Sequence, residues 1–206
     1  FTMWNWLCTI TIVEITSIIQ AIAVVAVAYP AFKGLTSWRT HLLGKKKIEL
    51  AEEALVLAYE LEGLIEWSRH PASWGGEGED RPNRENEEEN IQRRNDSYYS
   101  RVSRLSEGDE LFARLRKTKV MFRAYFGEEA QEALQTFTVV RNQISSAVSM
   151  LINHAGEHDY PVNLRQRHQE VIWDHSDGDN LDAFRQRIID AVAEIERVCG
   201  PVLEKR

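Results

Sequence analysis

A long apolar run opens the pattern of hydrophobic and polar positions along the chain. From Trp4 to Phe32 the sequence reads WNWLCTITIVEITSIIQAIAVVAVAYPAF, and Glu14 is its only charged residue. A helix of about 20 apolar residues spans the ~30 Å hydrocarbon core of a bilayer. Aromatic residues flank the run, as is typical at membrane interfaces, and at Pro30 we expect the helix to end or kink. The pattern predicts a transmembrane helix over residues 4–32.

Three other interpretations compete with a spanning helix. A cleaved signal peptide would need bases before a shorter apolar run, although Ala26-Val27-Ala28 resembles a cleavage site. A buried core helix would need an apolar partner surface around its whole circumference. A helix lying on the membrane surface would need a polar face, which this segment lacks. We expect the spanning helix in preference to these three.

The charges beside the apolar run predict its orientation. Residues 33–47 contain five bases and no acid, whereas no base precedes the run. The positive-inside rule then places the C-terminal domain in the cytoplasm and the N-terminus outside, in a single-pass protein of the cell inner membrane. The five bases also suit anionic lipid headgroups; they are Lys33, Arg39, Lys45, Lys46 and Lys47.

Glu14 is the most unusual residue of the apolar run, because a carboxylate within a span costs about 2.5–3.5 kcal/mol. Thr11 precedes it by three residues, and Ser17 and Gln20 follow it by three and six, so the four residues form a polar stripe. Polar stripes of this kind support helix association in membranes. We expect an intramembrane interface here, while simple tolerance of a shallow or protonated Glu14 stays open.

The rest of the chain predicts helices. Apolar positions recur at three- and four-residue spacings, typical of one helical face, and the alternation of a strand is missing. Capping and breaking residues predict helices from Ser37 or Gly44 to Arg69, over 84–126 with a break capped by Ser106, over 163–173, and from a cap at Asp179 to Gly200-Pro201. The clearest stripe lies in a helix over 128–154, at Ala133, Phe137, Val140, Ile144, Ala147 and Leu151.

These elements predict an all-α fold, in which an N-terminal transmembrane helix precedes a cytoplasmic antiparallel helical bundle of four long helices plus a short one. A basic juxtamembrane linker or stalk at 33–47, with flexure at Gly34 and Gly44, leads to the bundle at 48–206. Residues 48–90 contain 13 acids and 3 bases. We expect the acidic loop at 70–90 to be solvated, with an acidic docking face as the alternative.

The candidate metal ligands crowd into residues 154–175. His154 and His158 have the spacing of a helical metal pair, but Gly156 lies between them, and His168 and His175 are the other weak candidates. Segment 174–179 lacks the EF-hand positions, the long helices lack a Glu-x-x-His pair, and the glycines at 75–78 lack the Lys-Ser/Thr of a phosphate loop. We expect neither metal nor cofactor, and the acidic body disfavours nucleic acid.

The stretch WRTHLLGKKKIELAEEALVLAYELEGLIEW at residues 38–67, followed by SRHP, resembles uncharacterised bacterial single-span membrane-anchored helical proteins. In these proteins a Trp-Arg motif and a Gly-Lys-rich step follow one N-terminal span. The resemblance covers the N-terminal third of the chain. It implies the topology and brings no active site with it.

The function expected from these features is non-enzymatic. The cytoplasmic bundle would mediate protein–protein interaction or self-assembly, as a scaffold or accessory subunit of a larger membrane complex. The partners would be membrane lipid and other membrane-protein subunits or a second copy. Two alternatives stay open: an oligomeric pore-forming effector with Glu14 at the interface, and a metal-dependent enzyme using the 154–175 cluster.

Overall fold

The computed structural model describes the backbone of residues 2–157, 159–178 and 180–204. Side chains are described for the same residues except 2–16, 18, 30 and 31. Within these residues the chain is all-α, with six α-helices and no strand. Contacts divide it into two compact units, Phe1–Lys47 and Ile48–Arg206.

Most of the described chain lies in six helices. Their bounds are Thr2–Arg69 for α1, Glu89–Ser106 for α2, Asp109–Phe126 for α3, Glu128–Asn153 for α4, Val162–Ile172 for α5 and Ala183–Leu203 for α6. The predicted break at 106–109 is confirmed, since α2 and α3 are separate there. Gly127 divides α3 from α4 with a φ of 97°, a region that favours glycine.

Several predicted helix boundaries are wrong. α1 continues through positions 30, 34 and 44, and α6 continues through Gly200 and Pro201 to Leu203. A proline removes one hydrogen bond but keeps a φ near −65°, so a helix can continue past it. The cap of α6 is Asp182, which accepts a 2.7 Å hydrogen bond from the Arg185 backbone N–H, and Asp179 lies outside the described residues. Gly108, not Ser106, precedes α3.

The core of the unit Ile48–Arg206 follows the predicted helical faces. Helix α4 lies at its centre and packs against α2, α3, α5 and α6. All six apolar residues of the predicted α4 stripe are buried. The α1 residues Leu50, Ala54, Leu57 and Leu61 are buried as well. Cys199 packs in the same core, and burial raises the pKa of its thiol to about 11, so it is a neutral packing residue.

Candidate functional site

The side chains of α1 at residues 19–29 are all exposed within the described chain. One window of this helix is long and apolar enough to cross a membrane, and none of it is buried within the described chain. Burying one large aliphatic or aromatic side chain gains about 1.5–3 kcal/mol. This segment therefore presents a large apolar surface that the described chain leaves unburied. Its most exposed side chains include Ile22, Val24, Val25, Val27, Tyr29 and Phe32, each at least 63% exposed.

The polar and basic residues predicted to act at the membrane lie on the same helix. Ser17 and Gln20 are exposed, and three residues of helix separate them by about 60° around the axis. Thr11 and Glu14 belong to the helical backbone of α1, but their side chains lie outside the described set. Of the predicted basic residues, Lys33, Arg39, Lys45 and Lys46 are exposed and Lys47 is half-buried.

The candidate histidines do not form a metal centre among the described residues, which hold no group of three metal-type ligands. His154 is hydrogen-bonded to Glu157, with 2.6 Å between Nδ1 and Oε2. Its ring stacks on Tyr160 at 4.5 Å between centroids, and His168 lies 6.4 Å from the same ring. His175 contacts the Trp173 carbonyl instead, and His158 lies outside the described residues.

A set of buried arginines is the feature that the sequence pattern did not reveal. Arg69, Arg101 and Arg104 are at most 2% exposed, and Arg81 is 5% exposed. Arginine is almost never fully buried unless its charge is paired. Each of these guanidinium groups must therefore find acceptors inside the fold, and the acceptors show what the set does.

Arg104 on α2 uses all five of its guanidinium N–H donors. Nη1 donates to the carbonyls of Trp67 and His70, at 3.1 Å each, and Nη2 donates to the Ala72 carbonyl at 2.7 Å. Nη2 and Nε also hold the Glu77 carboxylate at 2.6 and 3.2 Å. The guanidinium lies 4.2 Å above the Trp67 ring. Arg104 thus joins the end of α1 to the loop that follows it.

Arg101 lies one turn before Arg104 and holds the same loop without a carboxylate. Its Nη groups donate to the Ser100 hydroxyl, the Ser73 hydroxyl and the Pro71 carbonyl. Burial, and then the positive charge of Arg104, lower the pKa of Arg101 to about 10, so it stays charged at neutral pH. Its guanidinium stacks 4.2 Å from the Trp173 ring, which compensates part of the burial cost.

Arg69 ends α1 and holds the segment between α5 and α6. Its Nη2 donates to Asp182 Oδ2 at 2.8 Å and to the Trp173 carbonyl at 2.6 Å. The same guanidinium donates to the carbonyls of Glu170 and Val171, at the end of α5. Carbonyls at a helix end lack intrahelical partners. Arg69 therefore caps α5 and fixes the start of α6 together.

Arg81 completes the set within the loop. Its Nε donates to Asp96 on α2 at 2.9 Å, and its Nη groups hold the Glu87 carboxylate. Arg84 donates to the second oxygen of Asp96, also at 2.9 Å. The loop at 70–90 is therefore not simply solvated, because three of its acids, Glu77, Glu79 and Glu87, are paired with arginines of the same chain.

One sequence signal could have revealed these arginines. Arg101 lies three residues after Tyr98, and Arg104 directly precedes Leu105, both on the apolar stripe of α2. A basic residue within such a stripe either lies at the edge of the solvent-exposed face or is buried with its charge. Only the carboxylates and carbonyls contributed by distant segments distinguish the two.

We expect acidic pH to lower the stability of the fold by protonating Asp174. Burial alone would raise the pKa of Asp174, but hydrogen bonds from Ser176 and Arg185 lower it to about 2, below its usual 3.8. A carboxylate with a depressed pKa stabilises the fold above its unfolded pKa and loses that effect as the pH falls through the folded value. Unfolding free energy should drop by about 1–2 kcal/mol, after solvent screening, between about pH 5 and pH 2.

Urea titrations of the full chain in detergent, followed by circular dichroism at each pH, measure this drop. Asp174→Asn should remove that part of the pH dependence. Asp80→Asn, at an exposed position of the loop, is the matched control and should leave the profile unchanged. Equal profiles for all three proteins would contradict the role of Asp174.

Comparison with known proteins assigns no family to the chain. No family model, no curated protein and no solved structure matches the chain. The uncovered segment of α1 and the buried arginines therefore carry the functional conclusion.

Proposed function

We propose that this chain is a non-enzymatic, single-pass protein of the cell inner membrane. Its apolar α1 segment anchors it in lipid. Its helical body packs as an antiparallel bundle in the cytoplasm, where it binds another membrane-protein subunit or a second copy. The observation that carries the proposal is the uncovered apolar window of α1.

The length of the apolar segment supports the anchor. Residues 6–28 form 23 positions of continuous helix with one charge. At 1.5 Å per residue this helix is about 35 Å long, which matches the ~30 Å hydrocarbon core. The apolar window among the described residues, from Ile19 onward, has no buried part, which argues against a core helix of this chain.

The basic residues after the segment support the orientation. Lys33, Arg39, Lys45 and Lys46 are exposed on the helix directly following the apolar window. Each exposed base near an anionic leaflet contributes about 1 kcal/mol.

The pairing of buried charges within the unit Ile48–Arg206 supports an interaction role over catalysis. Glu77 has a lowered pKa because Arg104 hydrogen-bonds to it. Asp182, in spite of burial, has a lowered pKa because Arg69 and two backbone N–H groups bind it. Perturbed carboxylates often mark reactive sites, but these two hold loops and helix ends in place. In this proposal the helical unit is therefore held rigid and presents its surface to partners at the membrane.

Fractionation tests the anchor directly. The full chain should stay with membranes after a carbonate wash, with its N-terminal segment present in the intact mass. Val25→Arg places a charge in the window and should disfavour insertion by about 2.5–3.5 kcal/mol. Val120→Arg, at a 68% exposed position of α3, is the matched control and should not change the membrane fraction. Recovery of the unmodified chain as a soluble protein would refute the anchor.

The same membrane preparation tests the interaction. Mass measurement in nanodiscs should show more than one chain, or a stoichiometric second subunit. Glu14→Gln should reduce that association if the polar stripe forms the interface. Chains that are monomeric and alone before and after mild extraction would contradict the interaction role, and ion flux through reconstituted vesicles that Glu14→Gln abolishes would favour a pore instead.

A further inference from the structure

A cleft of about 740 Å³ lies between α5 and the start of α6. This volume is in the range of small-molecule sites. Val171, Ala183 and Phe184 supply apolar surface, while Arg167, His175 and Arg187 bring polar groups to the same space. The cleft is separate from the Arg101 and Arg104 contacts described above.

The carboxylates of the cleft are already engaged. Asp182 receives hydrogen bonds from Arg69, from the Arg185 backbone N–H and from the His175 backbone N–H. Glu170 accepts a hydrogen bond from Gln166 at 3.2 Å. The charge of Asp182 is thus neutralised from behind by a buried base, whereas the exposed Glu170 keeps its charge at the edge of the cleft.

The arginines of the cleft, in contrast, have no charged partner among the described residues. Arg187 donates to the neutral Gln143, and its buried Nε has no hydrogen-bond partner among the described residues. Within the same part of the chain, neither Arg187 nor the exposed Arg167 forms a salt bridge. His175 uses Nδ1 on the Trp173 carbonyl, which leaves Nε2 for another contact.

Phe184 brings two like charges together. The Arg69 guanidinium lies 4.5 Å from its ring centroid and the Arg187 guanidinium lies 4.9 Å from it. Burial, and then the charge of Arg69, lower the pKa of Arg187. A negative group placed beside Arg187 would relieve this repulsion, and guanidinium pairs carboxylate or phosphate in a planar two-point geometry.

We propose that the cleft between α5 and α6 binds a small amphipathic anion, whose carboxylate or phosphate pairs with Arg187 and Arg167 and whose apolar body packs on Phe184 and Val171. This site is independent of the membrane anchor, so its failure and the failure of the proposed function are separate results. His175 lines the same cleft.

Ligand-observed NMR on the full chain in zwitterionic nanodiscs tests the site, with empty nanodiscs as the blank. Phenyl phosphate and benzoate are the probes, and benzyl alcohol is the neutral counterpart. We expect a Kd on the order of 1 mM for phenyl phosphate, as is usual for ligands of about ten heavy atoms. Benzyl alcohol and inorganic phosphate should each bind at least tenfold more weakly.

Substitutions locate the binding. Arg187→Gln and Arg167→Gln should each weaken phenyl phosphate binding, Arg187→Gln by about tenfold or more, and Arg187→Lys should retain part of it. Arg116→Gln makes the same charge change at an exposed position of α3 outside the cleft and should have no effect. Binding of phenyl phosphate that survives both glutamine substitutions, or equal binding of benzyl alcohol, would overturn the proposal. An unchanged circular dichroism spectrum shows that each variant is folded.

Discussion

Arg104→Met should destabilise the body by about 3–5 kcal/mol, the range found when one partner of a buried ion pair is removed. Methionine keeps most of the apolar stem but supplies none of the five hydrogen bonds to the α1 end, the loop and Glu77. The three carbonyls would lose the Arg104 donor, and the Glu77 carboxylate would keep only the Trp74 backbone N–H, which is the costly part of such a change. Urea unfolding of the full chain in detergent, followed by circular dichroism, measures the loss.

Arg93→Met is the matched control for Arg104. Arg93 lies on the same helix and forms an exposed pair with Glu89 at 3.6 Å. Exposed pairs of this kind contribute about 0.3–0.5 kcal/mol. Arg104→Lys should fall between the two, because an ammonium keeps the charge but cannot reproduce the planar two-point contact with Glu77. Similar losses for Arg104→Met and Arg93→Met would show that the buried network does not hold the loop.

Gly78→Ala should destabilise the same loop by about 2–4 kcal/mol through a backbone clash and a strained φ. Gly78 is buried with a φ of 80°, and a Cβ there would lie 2.1 Å from the carbonyl oxygen of Asp96. Asp96 also accepts from Arg81 and Arg84. The added methyl group must therefore push the loop away from α2 and disturb its ion pairs.

Gly76→Ala separates the two causes. Gly76 has a similar φ of 92°, but a Cβ there meets no atom within 4 Å. Its replacement should cost about 1–2 kcal/mol, the strain alone. Unfolding measurements and limited proteolysis of the loop compare the variants. If both alanines cost the same, close contact between the loop and α2 is not what Gly78 provides.

Local patterns were enough to predict most helices of the body. The α4 stripe, the break between α2 and α3, and the boundary between the helices predicted over 84–126 and 128–154 all depend on residues three or four positions apart, or on one special φ. The N-terminal apolar run is likewise a property of contiguous residues. At position 30 the helix does not end, which leaves the alternative of a kink, and its continuation past Pro201 was missed, because a proline lowers helix stability locally but does not forbid the next turn when the flanking turns are formed.

The buried arginines could not be assigned from periodicity. Arginine has a long apolar stem and a charged end, so the pattern rules class it as a surface residue. Whether Arg101 and Arg104 face solvent or the core depends on the loop that supplies carbonyls and Glu77. In the same way Asp174 and Asp182 look alike in sequence, and only the position of Arg69 and the first turn of α6 makes Asp182 the cap.

The amino-acid sequence by itself determined the all-α class, the apolar segment and the uneven charge along the chain, since these are properties of neighbouring residues. The tertiary structure decided which charges are buried and what they hold. Arg104 and Glu77 are 27 positions apart, and Arg69 and Asp182 are 113 positions apart. A charge leaves water only where several acceptors converge, and that convergence exists only once distant helices have packed.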